Sequence, residues 1–155
     1  MQCEEFLQEM YENFLEYVKI MEQVKLKDGL KKAMHLSNVL NQFMQKTEPW
    51  VLIKTNKKQY CMFLNILSRC GNVMNLLANG LIVLCGIIEP FLPSFSAKVY
   101  AIMNYKERDY NIIEYLFNSS SKNILELIKA GHEIDHPLPI IREGFQKINS
   151  KNNDY

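Results

Sequence analysis

Apolar residues recur at alternating steps of three and four through the first part of the chain, the spacing of one face of an α-helix. The first stripe predicts a helix from about Cys3 to Gln23, and the second predicts a helix after the link Val24 to Lys27. The second helix should stop near Glu48, because the residue before Pro49 is disfavoured in the α conformation. The expected core positions are Leu7, Met10, Phe14, Tyr17 and Met21, then Leu26, Leu30, Ala33, Ser37, Leu40 and Met44, widened by Met34 and Phe43.

A third and longer stripe predicts the central helix of the molecule. Its second half is apolar on almost every side, so we expect a rod that the other helices surround, ended by Pro90 and Pro93. Gly71 and Gly80 lie within it and indicate close helix contacts or a bend. The stripe consists of Phe63, Leu67, Cys70, Met74, Leu77, Leu81, Leu84 and Ile88.

Shorter helices are predicted beyond the rod, and together they favour an all-α bundle with an extended C-terminal tail. Ser94 or Ser96 is expected to cap a fourth helix that runs through Met103. A polar loop then precedes two further helical stretches, with Gly131 in a left-handed turn after the second. The limits are 104–110 for the loop, 111–117 and 123–129 for the helices, 1–149 for the bundle and 150–155 for a frayed end.

Composition is that of one soluble domain: the 155 residues are 48% apolar and 23% charged. The four cysteines form no CxxC pair, which predicts reduced thiols and an intracellular setting. No secretory signal is visible. The most apolar stretch, from Leu76 to Pro93, is short and interrupted by polar residues, so we interpret it as buried core and expect no contact with a membrane.

Charge is segregated along the first two helices. Residues 1–22 carry six Glu and one Lys, whereas residues 23–58 carry eight Lys against Asp28 and Glu48. A basic segment can attract phosphates, but a solvated helix face is the commoner explanation for lysines at this density.

The only tryptophan, Trp50, follows Pro49 where the second helix should break. An indole at such a break either plugs the core or lies at the surface, and its size alone favours the core. A resemblance changes this weighting. Asn41-Gln42-Phe43, followed by Pro49-Trp50 and Lys54, resembles the Asn-x-Tyr and Pro-Trp-x-x-x-Lys signature of methionyl-tRNA synthetases.

Further blocks resemble the same family in the same order. Residues 88–94, IEPFLPS, look like its Pro-aromatic-x-Pro end of a leucine-rich helix, and residues 130–134, AGHEI, look like its Gly-His-x-Ile segment. Residues 24–30, VKLKDGL, are similar to the eukaryotic cytosolic type, so the resemblance implies a cytoplasmic protein.

The resemblance implies that the chain is an anticodon-binding helical bundle. In this family the indole of the Pro-Trp pair stacks on the cytosine of the CAU anticodon, which corresponds to Trp50, with Pro49 fixing the approach of the ring. Asn41 holds the corner or contacts the loop, a structural hydrogen bond being the simpler role. Lys54, Lys57 and Lys58 are candidates for contacts with the phosphates of the anticodon stem.

The expected partners are the anticodon stem-loop of tRNA(Met) and a catalytic domain of the same enzyme upstream, and no DNA. Family members also carry an Asn and an Arg on a helix upstream of the matched region, so we expect the bundle to lack its first helix and to bind RNA weakly in isolation. ATP and methionine would belong to the catalytic domain, and no cofactor is expected here.

No catalytic or metal site is expected. His132 and His136 are close in sequence, but a zinc site needs three or four converging ligands, and a packed or capping role is the simpler one for His132. The His-x-Gly-His and Lys-Met-Ser-Lys-Ser motifs of class I synthetases are absent. Two alternatives stay open: the equivalent bundle of a sister synthetase, and a helical interaction scaffold in which Trp50 is buried.

Overall fold

The computed structural model describes residues 2–54, 60–105, 112–118, 120–129 and 131–135. Within these ranges it contains six α-helices, one 3₁₀ helix and no strand, which confirms the all-α bundle. Residues 136–155, and with them the expected extended tail and its frayed end, lie outside the described residues. The elements are α1 (Gln2–Glu22), α2 (Leu26–Thr47), α3 (Pro49–Lys54), α4 (Tyr60–Ile88), α5 (Pro93–Ile102), α6 (Ile112–Phe117) and the 3₁₀ helix η1 (Ser121–Glu126).

The first two helices are present as predicted, and they pack against each other as an antiparallel pair. Phe6 near the start of α1 stacks on Phe43 near the end of α2, with ring centroids 4.0 Å apart. Phe14 and Tyr17, both on the predicted stripe of α1, are buried in the core. Burying two large aromatic side chains from one helix contributes several kcal/mol, of the order of 2 kcal/mol each.

The contact face of α2 differs from the predicted stripe. Leu26 and Met34 were expected in the core but are 56% and 51% exposed, and Leu30 and Met44 are also exposed. The buried positions are Gly29, Ala33, Leu36, Val39, Leu40 and Phe43. The prediction was wrong at one edge because α2 packs between α1 and α4, so its buried face is centred on Leu36 and Leu40 and the apolar stripe continues past it to the surface.

Helix α4 is the predicted central rod, packing against α1, α2, α3, α5, α6 and η1. The predicted stripe is wrong at Met74, which is 51% exposed. The side chains of Phe63 and Leu67 lie outside the described part, so those two positions stay predictions. By length and composition Cys70–Ile88 would suffice to cross a membrane, but 61% of that window is buried inside the bundle, as expected of a core helix.

Gly71 and Gly80, the two glycines of α4 that were predicted to mark close contacts or a bend, have different surroundings. A Cβ on Gly80 would meet Leu40 of α2 at 2.6 Å, so this glycine allows a close helix contact. A Cβ on Gly71 would meet nothing within 4 Å. The predicted close contact therefore exists at Gly80 alone.

Helix α5 begins at Pro93, where the missing N–H costs nothing and the fixed φ suits the first turn. Neither Ser94 nor Ser96 caps it, contrary to the prediction, because Leu92 occupies the N-cap and no side-chain cap is made. Ser96 is instead buried and donates its hydroxyl to the carbonyl of Cys85, 3.0 Å away. The serine therefore joins α5 to the central rod.

Two short helices are present where two were predicted, but the second differs in type and limits. Ile112–Phe117 is α-helical, one residue shorter than predicted, whereas the second is a 3₁₀ helix, Ser121–Glu126, which begins two residues before and ends three residues before the predicted limits. Ser120 and Asn123 form a capping box at its start. Gly131 has φ +84°, the left-handed conformation expected for it, and residues 106–111 lie outside the described residues.

Candidate nucleic-acid interface

The corner between α2 and α3 is built by three consecutive residues. Thr47 donates its hydroxyl to the carbonyl of Phe43, 2.8 Å away, which closes the last turn of α2. Glu48 then adopts a left-handed conformation, φ 40° and ψ 56°, and its N–H donates to the carbonyl of Met44. Pro49 starts α3, since its fixed φ suits a first helical residue. The backbone thus stops one helix and starts another within two residues.

Pro49 and Trp50 face opposite environments. Pro49 is buried, and its carbonyl accepts a hydrogen bond from the thiol of Cys70 on α4, with sulfur and oxygen 3.7 Å apart. Trp50 is 44% exposed, and Val51 beside it is 42% exposed. The corner therefore presents the indole to solvent and keeps the proline in the bundle. The interpretation of Trp50 as a side chain buried in the hydrophobic core is therefore wrong.

The other candidate residues are only partly described. Asn41 lies on the exposed side of α2, and its role at the corner stays a prediction. Lys54 is the last residue of α3, and its side chain lies outside the described part. Lys57 and Lys58 lie entirely outside the described residues.

The acidic side chains of α1 balance part of the basic charge of α2. Glu16 accepts a hydrogen bond from the ammonium of Lys32, which holds the pKa of that carboxyl below its usual range. Lys31 pairs with Asp28, 3.5 Å away, one turn earlier on the same helix. No charged residue occurs between His35 and Lys46, so residues 36–45 of α2 carry no charge, whereas the exposed Lys46 and Glu48 lie in the last turn and at the corner itself. An uncharged polar stretch suits base contacts better than phosphate contacts.

His132 has a structural role, as predicted. Its Nε2 lies 2.6 Å from the carbonyl oxygen of Met103, so that nitrogen carries the proton and donates it. Three or more His, Cys, Asp or Glu side chains converge nowhere in the described part of the chain in a way that would hold a metal ion. Cys85 is fully buried, and burial raises the pKa of its thiol to about 12, so it is protonated and inert at neutral pH.

A groove of about 700 Å³ runs between the end of α2, the outer face of α4 and residues 131–134. Its lining is mainly apolar and includes Met44, Leu77, Leu81 and Ile134. Its titratable lining residues are Lys129 and His132, and the latter is already bonded to Met103. No carboxylate or thiol is among the described residues that line this groove.

Two contacts escaped the sequence-based prediction. Asn79 is completely buried, and its side-chain amide pairs with both the N–H and the carbonyl of Ile128. The second contact is the hydrogen bond that the thiol of Cys70 donates to the carbonyl of Pro49. An Asn within an apolar run is a signal that could have identified the first, because a buried amide needs partners. Nothing in the sequence indicates the second.

The left-handed conformation of Glu48 predicts an unusual stability effect. A residue with a Cβ pays about 1 to 2 kcal/mol in this conformation, and glycine does not. We expect Glu48→Gly to raise the free energy of unfolding by about 1 kcal/mol, after the entropy that glycine loses on folding is subtracted. Urea denaturation measures this change.

The matched control is Lys46→Gly, in the last regular turn of α2, which should lower the free energy of unfolding by about 1 kcal/mol. An equal loss in both variants would show that Glu48 has ordinary helical geometry.

Residues 2–155 match a family model described as the anticodon binding domain of methionyl tRNA ligase. The chain is 31% identical over 138 residues to a probable cytoplasmic methionine--tRNA ligase of Dictyostelium discoideum, covering 88% of this chain and 16% of that protein. It is 31% identical over 144 residues to the cytoplasmic methionine--tRNA ligase of Arabidopsis thaliana, with the same coverage of 88% and 16%. The methionine--tRNA ligase of Pyrococcus furiosus is 32% identical over 101 residues, 65% of this chain and 13% of that protein. The chain spans about a sixth of the length of these curated relatives.

Proposed function

The chain belongs to the family of anticodon-binding domains of methionyl tRNA ligase, and on this premise we propose that it binds the anticodon stem-loop of tRNA(Met) through the corner of Pro49 and Trp50. Its task is binding: it orients the tRNA so that the catalytic part of a methionine-tRNA ligase can charge it with methionine, using ATP. We place this task in the cytoplasm, in line with relatives whose names include that compartment.

The exposure of Trp50 is the observation that supports the proposal most strongly. It is the only tryptophan of the chain, and it is 44% exposed while its neighbour Pro49 is buried. Leaving part of an indole in water forgoes apolar burial that a core position would supply. An unpaired RNA base restores that burial by stacking, which contributes about 1 to 3 kcal/mol per base. RNA loops offer such bases because they are not paired.

The other residues of the corner have subordinate roles in the proposal. Pro49 fixes the direction from which the ring approaches the base. Asn41 is exposed on the uncharged stretch of α2 before Lys46, where its amide can reach a base edge or a sugar. Lys54, Lys57 and Lys58 are proposed to follow the phosphates of the stem, where they would make binding weaker at high salt.

A protein-interaction scaffold is the second candidate function. The exposed stripe of Leu26, Leu30 and Met34 on α2 favours it, because apolar positions aligned on one side of a helix suit a protein partner. The scaffold alternative expected from the sequence required a buried Trp50, which the structure contradicts. The sister-synthetase alternative is not supported, since the matching family and the relatives described above are all specific for methionine.

Intrinsic fluorescence tests the proposal, because the emission of the chain's tryptophan reports on Trp50 alone. We expect an RNA stem-loop with a CAU-containing seven-nucleotide loop to quench this emission with a saturable curve. The control is the same stem closed by a compact, internally paired tetraloop, which should leave the emission unchanged at equal RNA concentration. Equal quenching by both RNAs, or by neither, would contradict stacking and favour the scaffold.

A further inference from the structure

Helix α3 depends on its neighbour for its position. It has six residues, Pro49–Lys54, and a helix this short is not stable by itself in water. It packs against α4. The direction in which Trp50 points is therefore determined by how α3 is seated on α4, together with the backbone of Glu48.

Cys70 lies where α3 packs against α4. Its side chain is only 6% exposed, and its sulfur is 3.7 Å from the carbonyl oxygen of Pro49, the residue directly before Trp50. A thiol is a small side chain and a weak hydrogen-bond donor, so it lets the α3 backbone approach closely without demanding one strict geometry. Any larger side chain at position 70 would occupy the space below the Pro49 carbonyl.

We infer that Cys70 is a positioning residue for Trp50: by seating the Pro49 carbonyl on α4, it sets the direction of the indole. The consequence for RNA binding rests on the function proposed above, but the effect on the ring does not. Cys70 does not itself touch RNA in this view.

The next residue provides a matched control. Gly71 is exposed, and a Cβ added there would meet no atom within 4 Å. Gly71→Ala therefore adds a methyl group to the same turn of α4 without a steric contact with α3. If any alteration of α4 changed the motion of Trp50, both variants would show the change. If the contact between Cys70 and the Pro49 carbonyl determines that motion, only the variant at position 70 should show it.

The experiment measures the time-resolved anisotropy and acrylamide quenching of Trp50 in the full chain. In Cys70→Leu the indole should rotate more freely and be quenched more strongly, and its affinity for the CAU stem-loop should fall about tenfold, as expected if most of a stacking contact worth about 1 to 3 kcal/mol is lost. Cys70→Ser keeps the size and the donor, so it should match the unaltered chain in both measurements. Gly71→Ala should do the same.

Far-UV circular dichroism shows whether Cys70→Leu folds; if it does not, Cys70→Ala replaces it, and a freer indole is again expected. Unchanged anisotropy in the folded variant would overturn the inference, as would an equal change in Gly71→Ala. Failure of the proposed function is a separate outcome, seen when Trp50→Ala leaves RNA affinity unaltered. In that case the anisotropy of the indole still tests whether Cys70 positions Trp50, because this measurement needs no RNA.

Discussion

Replacing Trp50 with alanine is expected to lower the affinity for the anticodon stem-loop by about 5- to 150-fold, since a stacked base is worth about 1 to 3 kcal/mol. The fold should tolerate the change, because the ring is 44% exposed and the seat of α3 is made by Pro49 and Cys70. The polarisation of a fluorescently labelled RNA measures the affinity without relying on the tryptophan.

Val51→Ala is the matched control for this prediction. Val51 is 42% exposed on the same short helix, so its truncation removes apolar surface of similar accessibility but no aromatic face. We expect it to change the affinity less than about twofold, while Trp50→Phe, which keeps a smaller ring, should give an intermediate loss. Equal losses in Val51→Ala and Trp50→Ala would mean that general apolar contact, and not stacking, holds the RNA.

Within a complete methionine-tRNA ligase the same substitution should separate two activities. We expect charging of tRNA(Met) to fall by a factor similar to the loss in affinity, because the anticodon contact orients the tRNA. Methionine-dependent pyrophosphate exchange, which needs no tRNA, should remain near its original rate. Comparable losses in both would indicate damage to the structure.

The largest effect on stability is expected at Asn79. Its amide nitrogen donates to the carbonyls of Asn75 and Ile128, at 2.8 and 3.1 Å, and its oxygen accepts the N–H of Ile128 at 2.6 Å. Asn75 also donates to the Ile128 carbonyl, at 3.1 Å. Together these bonds attach the segment after η1 to the central helix. Truncation leaves the buried N–H of Ile128 unpaired, at about 1 to 3 kcal/mol, and removes one of the two donors to the Ile128 carbonyl, at about 1 kcal/mol more.

Asn79→Ala should therefore lower the free energy of unfolding by about 2 to 4 kcal/mol, a large part of the 5 to 15 kcal/mol that stabilises a typical domain. Urea denaturation gives the free energy, and hydrogen exchange should show faster exchange of the Ile128 amide. Asn72→Ala, an exposed position on the same helix, should change the stability by less than about 0.5 kcal/mol. Similar losses in the two variants would show that the buried amide is not the source.

Helix positions were predictable from the sequence, but the faces that pack were less so. The apolar steps of α1 predicted its buried side, because Leu7, Met10, Phe14 and Tyr17 all lie on the face that α2, α4 and η1 cover. On α2 the same rule placed Leu26 and Met34 in the core although they are exposed, and it omitted Leu36 and Val39, which are buried. Periodicity identifies an apolar stripe, but the edge at which burial ends depends on how many helices pack around it.

The sequence motif predicted where the candidate site lies in the chain, but not its geometry. The sequence placed Pro49 and Trp50 at a helix break, yet size alone favoured a buried indole, and only the family resemblance favoured exposure. Helix α3 was missed because its six residues are too few to show a period. The contact between Cys70 and Pro49 joins residues 21 positions apart, and no local pattern encodes it.

The most direct test of the account is a nuclear magnetic resonance spectrum of the chain bound to a CAU stem-loop. Stacking predicts upfield ring-current shifts of the cytosine H5 and H6 protons, together with nuclear Overhauser contacts from these protons to the indole of Trp50. Cytosine protons that do not shift, while the amides of α2 around Leu26 and Leu30 respond to the RNA, would contradict it.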